Sequence, residues 1–373
     1  MPTYSIYKPL NLTTDKYTNT NKVTTGLFGG DGTLSCAGMA TASTSASNKE
    51  YYYTITHHSG SSGIKYFDVA YGHYAGSGSV VSAYQYASEA VYKQFANILL
   101  DDPYKKFTFS DVSGSDSGTE REDIYIMSVK TAKMKDRVNT KWTMTLTGSV
   151  GTAAAPTGRT LHLTNYTGSK YPSIAGEYFP VISGSAGVPH SSTTLDWSGN
   201  QNTTYGHFYP NHGLVVLAAT KMSASIPGGD GFAESGSACG YGSGAEAIGL
   251  GMNPSLLATA DNAGKFATCL IGSASNGEGG GSITMRTEQD LNQSTYYCRL
   301  FNQEYNFSSN PTFLKTGSDL GDIRDDLVGD PTVYISGLGL YNAHNELIAV
   351  AKVNEPVKKN FGNEQNFVVK IDG

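Results

Sequence analysis

Two histidines are candidates for chemistry, because imidazole binds metal ions and exchanges protons near neutral pH. His207 and His212 are five residues apart with Pro210 between them, so they do not have the spacing of a helical histidine pair. The pair could hold a metal ion across a turn, but no carboxylate accompanies it. We therefore favour turn histidines that hydrogen-bond to the backbone, and we predict no metal site.

Two further segments match ligand-binding loops only in part. Residues 76–78 read Gly-Ser-Gly before a predicted helix, but Val81 stands where a phosphate-binding loop needs a third glycine, and no Walker lysine follows. Five aspartates lie within 319–330, without the mid-loop glycine and final glutamate of an EF-hand. We predict a glycine turn and a solvated loop, with a weak calcium site as the alternative for the loop. No cofactor is expected.

The sequence carries no recognisable catalytic nucleophile. The G-x-S-x-G pattern of serine hydrolases is absent, and the serine-rich stretches have no fixed spacing to His or Asp. The two carboxylates of a glycosidase need not be close in the chain, so glycoside hydrolysis stays open. Abundant Tyr and Gly fit a carbohydrate-binding β-fold and equally fit aromatic packing at protein interfaces. We predict no catalytic residues and no enzymatic activity.

The four cysteines show no metal-binding pattern. Cys36, Cys239, Cys269 and Cys298 include no C-x-x-C pair, and no histidine lies near them at zinc-finger spacing. Three disulfide pairings stay possible. For a protein made in the cytoplasm, we favour four free and mostly buried thiols.

The composition restricts the classes of fold and partner. The chain has 373 residues, including 44 Gly and 25 Tyr, and 16% of its residues are charged, which excludes a coiled coil or a helical repeat. The hydrophobic fraction of 39% is enough for a core. With a net charge of −6 and no basic stripe, we predict no nucleic-acid partner. No apolar run approaches the ~20 residues of a membrane helix, and the first residues lack secretory-signal features, so we expect no membrane span and cytoplasmic synthesis.

Hydrophobic periodicity predicts one helix among many strands. Apolar residues recur at helical spacing over 83–100. Strands are predicted at 124–127 and at 142–147, where strict alternation indicates one buried and one solvated face. We therefore predict an α+β fold that is mainly β, with antiparallel sheets, one central amphipathic helix and long Gly/Ser-rich loops.

The C-terminal residues predict a hairpin and a final strand. The hairpin strands are expected to begin at 333–335 and to return at 346–351, with turn residues at 342–345 between them. Pro356 is expected to end the hairpin. A last strand is predicted at 367–371.

Composition divides the chain into four segments. Residues 1–60 are predicted to form an N-terminal arm and loop, and 61–217 a core of helix and sheet. Residues 218–295 read as a Gly/Ser-rich insertion, and 296–373 as a C-terminal β part that completes the core.

Four ordered motifs in the second half carry a family resemblance. Residues 305–313 read Y-N-F-S-S-N-P-T-F, 334–342 read Y-I-S-G-L-G-L-Y-N, 345–352 read N-E-L-I-A-V-A-K, and 356–359 read P-V-K-K. They resemble structural proteins of tailed-phage virions, chiefly of contractile-tailed marine phages. The family pattern runs roughly Y-N-Y-S-x-N-P-T-F, Y-I-T-T-V-G-L-Y-N, N-E-L-L-A-V-A-K and P-x-x-K.

The resemblance has limits along the chain. Ser336 and Gly337 stand where the family pattern has threonines, and weaker matches extend it over about 70–360. The stretch 218–281 and the extreme N-terminus match nothing. The hairpin motif is also similar to the segment by which tail-collar fibre proteins begin, where it belongs to baseplate attachment.

The resemblance implies a virion subunit that works by contact and not by catalysis. It implies a place in the baseplate or adjoining tail, with other virion proteins and copies of this chain as partners, and with no catalytic residues or cofactors. The interface candidates are seven residues of the motif segments and the hairpin turn: Tyr305, Phe307, Asn310, Phe313, Tyr334, Tyr341 and His344.

The polar segments support assembly on physical grounds. Ordering a Gly-rich arm costs ~1–2 kcal/mol per residue in backbone entropy, so we expect the N-terminal arm and 218–281 to be ordered by neighbouring subunits. Two alternatives stay open. One is a collar, neck, fibre-root or capsid-decoration protein. The other is a polysaccharide-binding receptor protein or depolymerase, although no β-helical repeat is visible in the sequence.

Overall fold

The computed structural model describes residues 7–41, 52–57, 64–76, 86–109, 118–129, 133–150, 157–190, 204–225, 262–271, 280–315 and 322–372. Within these ranges strands predominate over a few helices. The defined strand registers are antiparallel in the long sheet, in the C-terminal hairpin and at the C-terminus. The predicted class, α+β and mainly β with antiparallel sheets, is confirmed. No helix in the described ranges is long and apolar enough to cross a membrane.

The elements are mostly short strands. Those of the first half are β1 (Lys16–Gly26), β2 (Thr33–Ser35), β3 (Met39–Thr41), β4 (Tyr52–His57), β5 (Lys65–His73), β6 (Phe107–Thr108), β7 (Glu120–Arg121), β8 (Asp123–Ser128), β9 (Arg137–Val138), β10 (Thr143–Val150) and β11 (Thr157–Asn165). Those of the second half are β12 (Tyr171–Ser173), β13 (Gly176–Ser185), β14 (Val188–Pro189), β15 (Gly206–Tyr209), β16 (Leu214–Ala218), β17 (Ser282–Thr284), β18 (Arg286–Leu300), β19 (Val333–Tyr341), β20 (Leu347–Lys359) and β21 (Gln365–Asp372). The α-helices are α1 (Tyr86–Leu100), α2 (Ala219–Ser225) and α3 (Asn262–Ile271). Short 3-10 helices cover Cys36–Gly38, Pro311–Phe313 and Asp325–Leu327.

The chain forms two compact units. The smaller unit combines Met1–Lys22 with Asp290–Gly373, and the larger unit is Val23–Gln289. These boundaries differ from those of the four composition segments, because β1, near the start of the chain, is a neighbour of β18, far along it. Composition carries no information about such long-range pairing.

A long antiparallel sheet forms the centre of the larger unit. Its strands run in the order β2-β17-β10-β11-β13-β15-β16-β8-β5-β4-β3. In β8, Ile124 and Ile126 belong to the same core cluster as α1, whereas Tyr125 and Met127 belong to the cluster that contains α3. Because neighbouring residues of a strand point to opposite faces, the two helices cover opposite faces of the sheet. This double cover explains the unbroken apolar sequence of β16.

Helix α1 matches the predicted helix over its described residues. It covers Tyr86–Leu100, and residues 83–85 of the prediction lie outside the described ranges. The helix ends where Asp101 adopts a left-handed backbone with φ of 61°, shortly before Pro103. Val91 and Leu99 are buried against the sheet, as the helical spacing indicates.

Helix α3 lies in a stretch where the sequence predicted no helix. Every residue of α3 is buried, and the ring of Phe266 stacks on Tyr125 with centroids 4.9 Å apart. Backbone packs tightly beside the helix, since a Cβ on Gly281 would lie 1.9 Å from the carbonyl oxygen of Leu270. A sequence rich in Ala and Gly therefore indicates close packing here and not a loop. Most of the remaining 218–281 segment lies outside the described residues.

Residues 144–147 of β10 are buried on both faces, so the prediction of one solvated face over 142–147 is wrong. Thr147 is only 2% exposed. Its Oγ1 donates to the carbonyl oxygen of Cys269 in α3, at 3.4 Å. Thr145 Oγ1 lies 2.9 Å from Nδ1 of His162 on β11. A threonine hydroxyl with a hydrogen-bond partner can be buried at little cost in free energy. A strand in which apolar residues alternate with threonine therefore need not have a solvated face.

The smaller unit contains the predicted C-terminal hairpin. Strand β19 pairs with β20. The last predicted strand is confirmed as β21, which lies next to β18, and β18 in turn lies next to β1. The prediction that Pro356 ends the hairpin is wrong, because β20 continues to Lys359, which pairs with Val333. A register shift between Ile335 and Gly337 leaves Pro356 in an irregular part of the ladder, where its missing N–H is tolerated.

Candidate functional site

The two histidines singled out in the sequence lie in different settings. His207 lies in β15, with its ring centroid 4.2 Å from that of Tyr178 and 4.8 Å from that of Phe109. Burial lowers its pKa from 6.5 to about 3, so the imidazole is neutral at physiological pH. His212 lies in a turn, and its Nε2 is 2.9 Å from the carbonyl oxygen of Ala175. The predicted turn histidine bound to the backbone is confirmed for His212 and wrong for His207.

Two aspartates of the acidic segment 319–330 are paired with basic side chains. Asp325 lies 2.6 Å from Lys315, and Asp326 lies 2.7 Å from Arg324. Across the described part of the chain, no group of three His, Cys, Asp or Glu side chains could hold a metal ion. Asp319 and the predicted glycine turn at 77–78 lie outside the described residues.

The described cysteines fall into two classes. Cys269 and Cys298 are buried free thiols, as predicted. Burial raises the pKa of Cys269 to about 12, so its thiol is protonated and unreactive. Cys36 is disulfide-bonded, so the prediction of four free thiols is wrong for this residue. Cys239 lies outside the described residues.

Four of the predicted interface residues lie in the loop that follows β18. Asn310 Oδ1 accepts a hydrogen bond from the backbone N–H of Thr312 at 3.1 Å and so caps the short helix that follows. Phe313 is buried, and Phe307 packs edge-on against it with centroids 5.3 Å apart. Tyr305 has a φ of 53° and an exposed ring. Asn310 and Phe313 thus shape the loop, while Tyr305 and Phe307 present aromatic surface.

Asn306 of the same loop meets Lys359 at the end of β20. The side chain of Lys359 is fully buried, and its Nζ donates to Asn306 Oδ1 at 2.8 Å. Nζ also donates to the carbonyl oxygens of Asn302 and Asn360, both at 3.0 Å. Asn306 Nδ2 in turn donates to the carbonyl oxygen of Asn302 at 2.7 Å. The structure therefore joins the first and last motif segments through one buried ammonium group, which no pattern in the sequence indicated.

Strands β19 and β20 present large apolar side chains to solvent. We define the hairpin surface as Tyr334, Tyr341, Leu347, Ile348 and Val350, whose exposed fractions range from 44% to 65%. Large apolar side chains exposed together on a two-stranded sheet are candidates for an interaction site. Two of these residues were predicted. The other three were not predicted, although the apolar residues that follow the turn could have indicated them.

The hairpin turn is fixed by side-chain hydrogen bonds. Asn342 Oδ1 accepts from the backbone N–H groups of His344 and Glu346, both at 2.9 Å. Asn345 adopts a left-handed backbone with φ of 63°. The predicted candidate His344 is exposed at the tip, so the structure brings it onto the same hairpin as Tyr334 and Tyr341.

The first described residues, Tyr7 and Lys8, make contacts within the smaller unit. Lys8 Nζ is 2.5 Å from Glu304 Oε2 and 2.7 Å from the carbonyl oxygen of Arg299. The ring of Tyr7 packs edge-on against Tyr341 with centroids 4.9 Å apart. These residues therefore make contacts within the chain, next to the hairpin surface.

Comparison with protein-family profiles, with curated proteins and with solved structures returned no match. The candidate site therefore rests on the geometry of the smaller unit. It consists of the hairpin surface, the aromatic residues of the loop after β18 and the Lys359 cluster that holds this loop to β20.

Proposed function

We propose that this protein is a non-enzymatic structural subunit of a tailed-phage virion. It belongs to the baseplate or adjoining tail and acts through contacts with other virion proteins and with copies of itself. The single observation that carries the proposal is the hairpin surface, because five large apolar side chains are exposed on one two-stranded sheet. The resemblance of the four motif segments supplies the kind of particle.

The limited stability of a two-stranded sheet supports the proposal. Such a hairpin is marginal in water unless one of its faces is covered. Burying apolar area contributes about 25 cal/mol per Å², and a stable interface covers about 800 Å² on each partner. A partner that covers Ile348 and Val350 together with the rings of Tyr334 and Tyr341 would supply much of that area. Polar Gly-rich arms are consistent with the same mode of assembly.

A charge placed on the hairpin surface tests the proposal. Ile348→Asp puts a carboxylate where a partner would exclude water, and we expect roughly tenfold or greater loss of incorporation into particles assembled in its presence. Ile174→Asp is the matched control, since Ile174 is 72% exposed in the larger unit. Both variants should fold as the wild type does by circular dichroism. Equal incorporation of the two variants would count against the hairpin surface.

The position of the protein in an intact particle tests the location. Cryo-electron microscopy is expected to show threefold or sixfold copies beneath the tail tube. Density on the collar, neck, fibre root or capsid would replace the baseplate with the first alternative. Release of reducing sugar from host envelope polysaccharide by the purified protein would favour a depolymerase and overturn the non-enzymatic role.

A further inference from the structure

The Lys359 amine has an unusual environment for a lysine. Its side chain is fully buried, and its three neighbours at hydrogen-bond distance are the uncharged oxygens of Asn302, Asn306 and Asn360. Among the described residues no carboxylate forms an ion pair with it. Lysines are rarely buried in this way, because a charged ammonium group is costly away from water.

This environment makes the ammonium group easier to deprotonate than that of an exposed lysine. Burial lowers the pKa of Lys359, and the more distant carboxylates of Glu304 and Glu364 oppose that effect without cancelling it. A neutral lysine amine is a nucleophile, which is why desolvated lysines serve in covalent chemistry.

The carboxamide of Asn306 is held ready beside this amine. Asn306 is 6% exposed, its Oδ1 faces Nζ of Lys359, and its Nδ2 is tied to the carbonyl oxygen of Asn302. The two hydrogen bonds prevent the amide from rotating, and they keep its carbonyl group directed at the amine. Proximity and orientation of this kind replace a large part of the entropy that a bimolecular reaction loses.

We propose that Lys359 and Asn306 form a modification site that closes into an intramolecular isopeptide cross-link. A bond forms between Nζ of Lys359 and Cγ of Asn306, and the bond between Cγ and Nδ2 breaks. The ammonium group and the carboxamide become a secondary amide and one ammonium ion, so the protons balance without an oxidant or co-reactant. The cross-link spans 53 residues of sequence and encloses the β19–β20 hairpin in a covalent loop.

Mass spectrometry of the full wild-type chain decides the proposal. A cross-linked chain is lighter than its sequence mass by about 17 Da, the mass of one ammonia molecule. Trypsin should then fail to cleave after Lys359 and should yield one branched peptide that contains both residues. A chain of full sequence mass, in purified protein and in assembled particles alike, with Lys359 in linear peptides, overturns the proposal.

Three variants separate the reaction from unrelated loss of ammonia. Asn306→Ala removes the electrophile, and Lys359→Arg keeps a cation but removes the amine, so both should keep their full sequence mass. Lys358→Ala is the matched control, because the neighbouring Lys358 is exposed, and it should show the same deficit as the wild type. A mass deficit that persists in Asn306→Ala would overturn the assignment even if that variant folds poorly.

Discussion

Two buried basic side chains avoid an unpaired charge in opposite ways. Lys359 surrounds its Nζ with three oxygens, whereas His207 becomes neutral and packs as an aromatic ring against Tyr178. Neither outcome follows from the local sequence, because each depends on residues far along the chain. The histidine pair was predicted correctly only at His212, which lies in a turn and whose Nε2 meets the carbonyl oxygen of Ala175.

The neutral state of His207 makes folding sensitive to acid. Its pKa is about 3 in the folded protein against 6.5 for an ordinary histidine, so between these values the unfolded chain binds more protons than the folded one. The stability contribution of the neutral ring is present at neutral pH and falls as the pH falls below 6.5. From pH 7 to pH 5 the free energy of unfolding should drop by about 2 kcal/mol through this residue. Urea unfolding at the two pH values measures the drop.

His207→Phe isolates the contribution of the titrating ring. The variant keeps an aromatic side chain between Tyr178 and Phe109 and removes the titration. Other groups titrate identically in both proteins, so the variant should lose about 2 kcal/mol less than the wild type between pH 7 and pH 5. Equal losses would show that His207 is not held neutral in the folded state.

Elements were predicted well where local pattern and tertiary environment agree. Helix α1 has an apolar periodicity, and strand β8 an unbroken apolar run, that match their burial. Strand β10 and helix α3 do not, because Thr147 and Cys269 satisfy each other across the core and the small residues of α3 resemble loop composition. A short window of sequence does not predict burial that depends on contacts between distant segments.

Helix α3 should prove essential to the core of the larger unit. Phe266 is fully buried and stacks on Tyr125, so Phe266→Ala leaves a cavity that the sheet cannot fill. We expect the free energy of unfolding to fall by about 3–5 kcal/mol, measured by urea denaturation.

The control for α3 is an apolar truncation on α1. Ile98 is 42% exposed, so Ile98→Ala should cost roughly 1 kcal/mol or less. A loss for Phe266→Ala no larger than that for Ile98→Ala would mean that α3 does not pack on the sheet as described.

The candidate site was predictable in its position and not in its internal contacts. Turn residues and strand propensity placed the hairpin correctly, and they marked Tyr334 and Tyr341. The pairing of Asn306 with Lys359 was missed because it joins the loop after β18 to the last residue of β20, 53 positions later, and no local periodicity links them. The prediction that Pro356 ends the hairpin was wrong because a bulge tolerates proline inside a strand.

The hairpin turn should tolerate glycine and reject a β-branched side chain. Asn345 has a φ of 63°, which asparagine and glycine accept and valine does not. Asn345→Val should lower the opening free energy of the hairpin by about 1–3 kcal/mol, and Asn345→Gly should stay within about 1 kcal/mol. Hydrogen exchange of the β19 and β20 amides measures both. Equal protection in the two variants would contradict the left-handed turn.

At the scale of the whole molecule, the two units differ in how much apolar surface they bury. The larger unit holds both core clusters around its sheet. The described core of the smaller unit has few buried apolar side chains, among them Phe313, Val333 and Val369. Stability per residue should follow this difference, because apolar burial is the main favourable contribution to folding.

The smaller unit should therefore open at a lower free energy than the larger one. In the isolated chain, amides of β20 and β21 should exchange with solvent at least ~100-fold faster than those of β8 and β16, as followed by hydrogen-exchange mass spectrometry. Particles that contain the protein provide the comparison. If partners cover the hairpin surface, β20 should gain protection on assembly while β8 stays unchanged. Equal exchange of the two units in the isolated chain would contradict the difference in burial, and unchanged exchange of β20 in the particle would argue that the hairpin surface stays exposed after assembly.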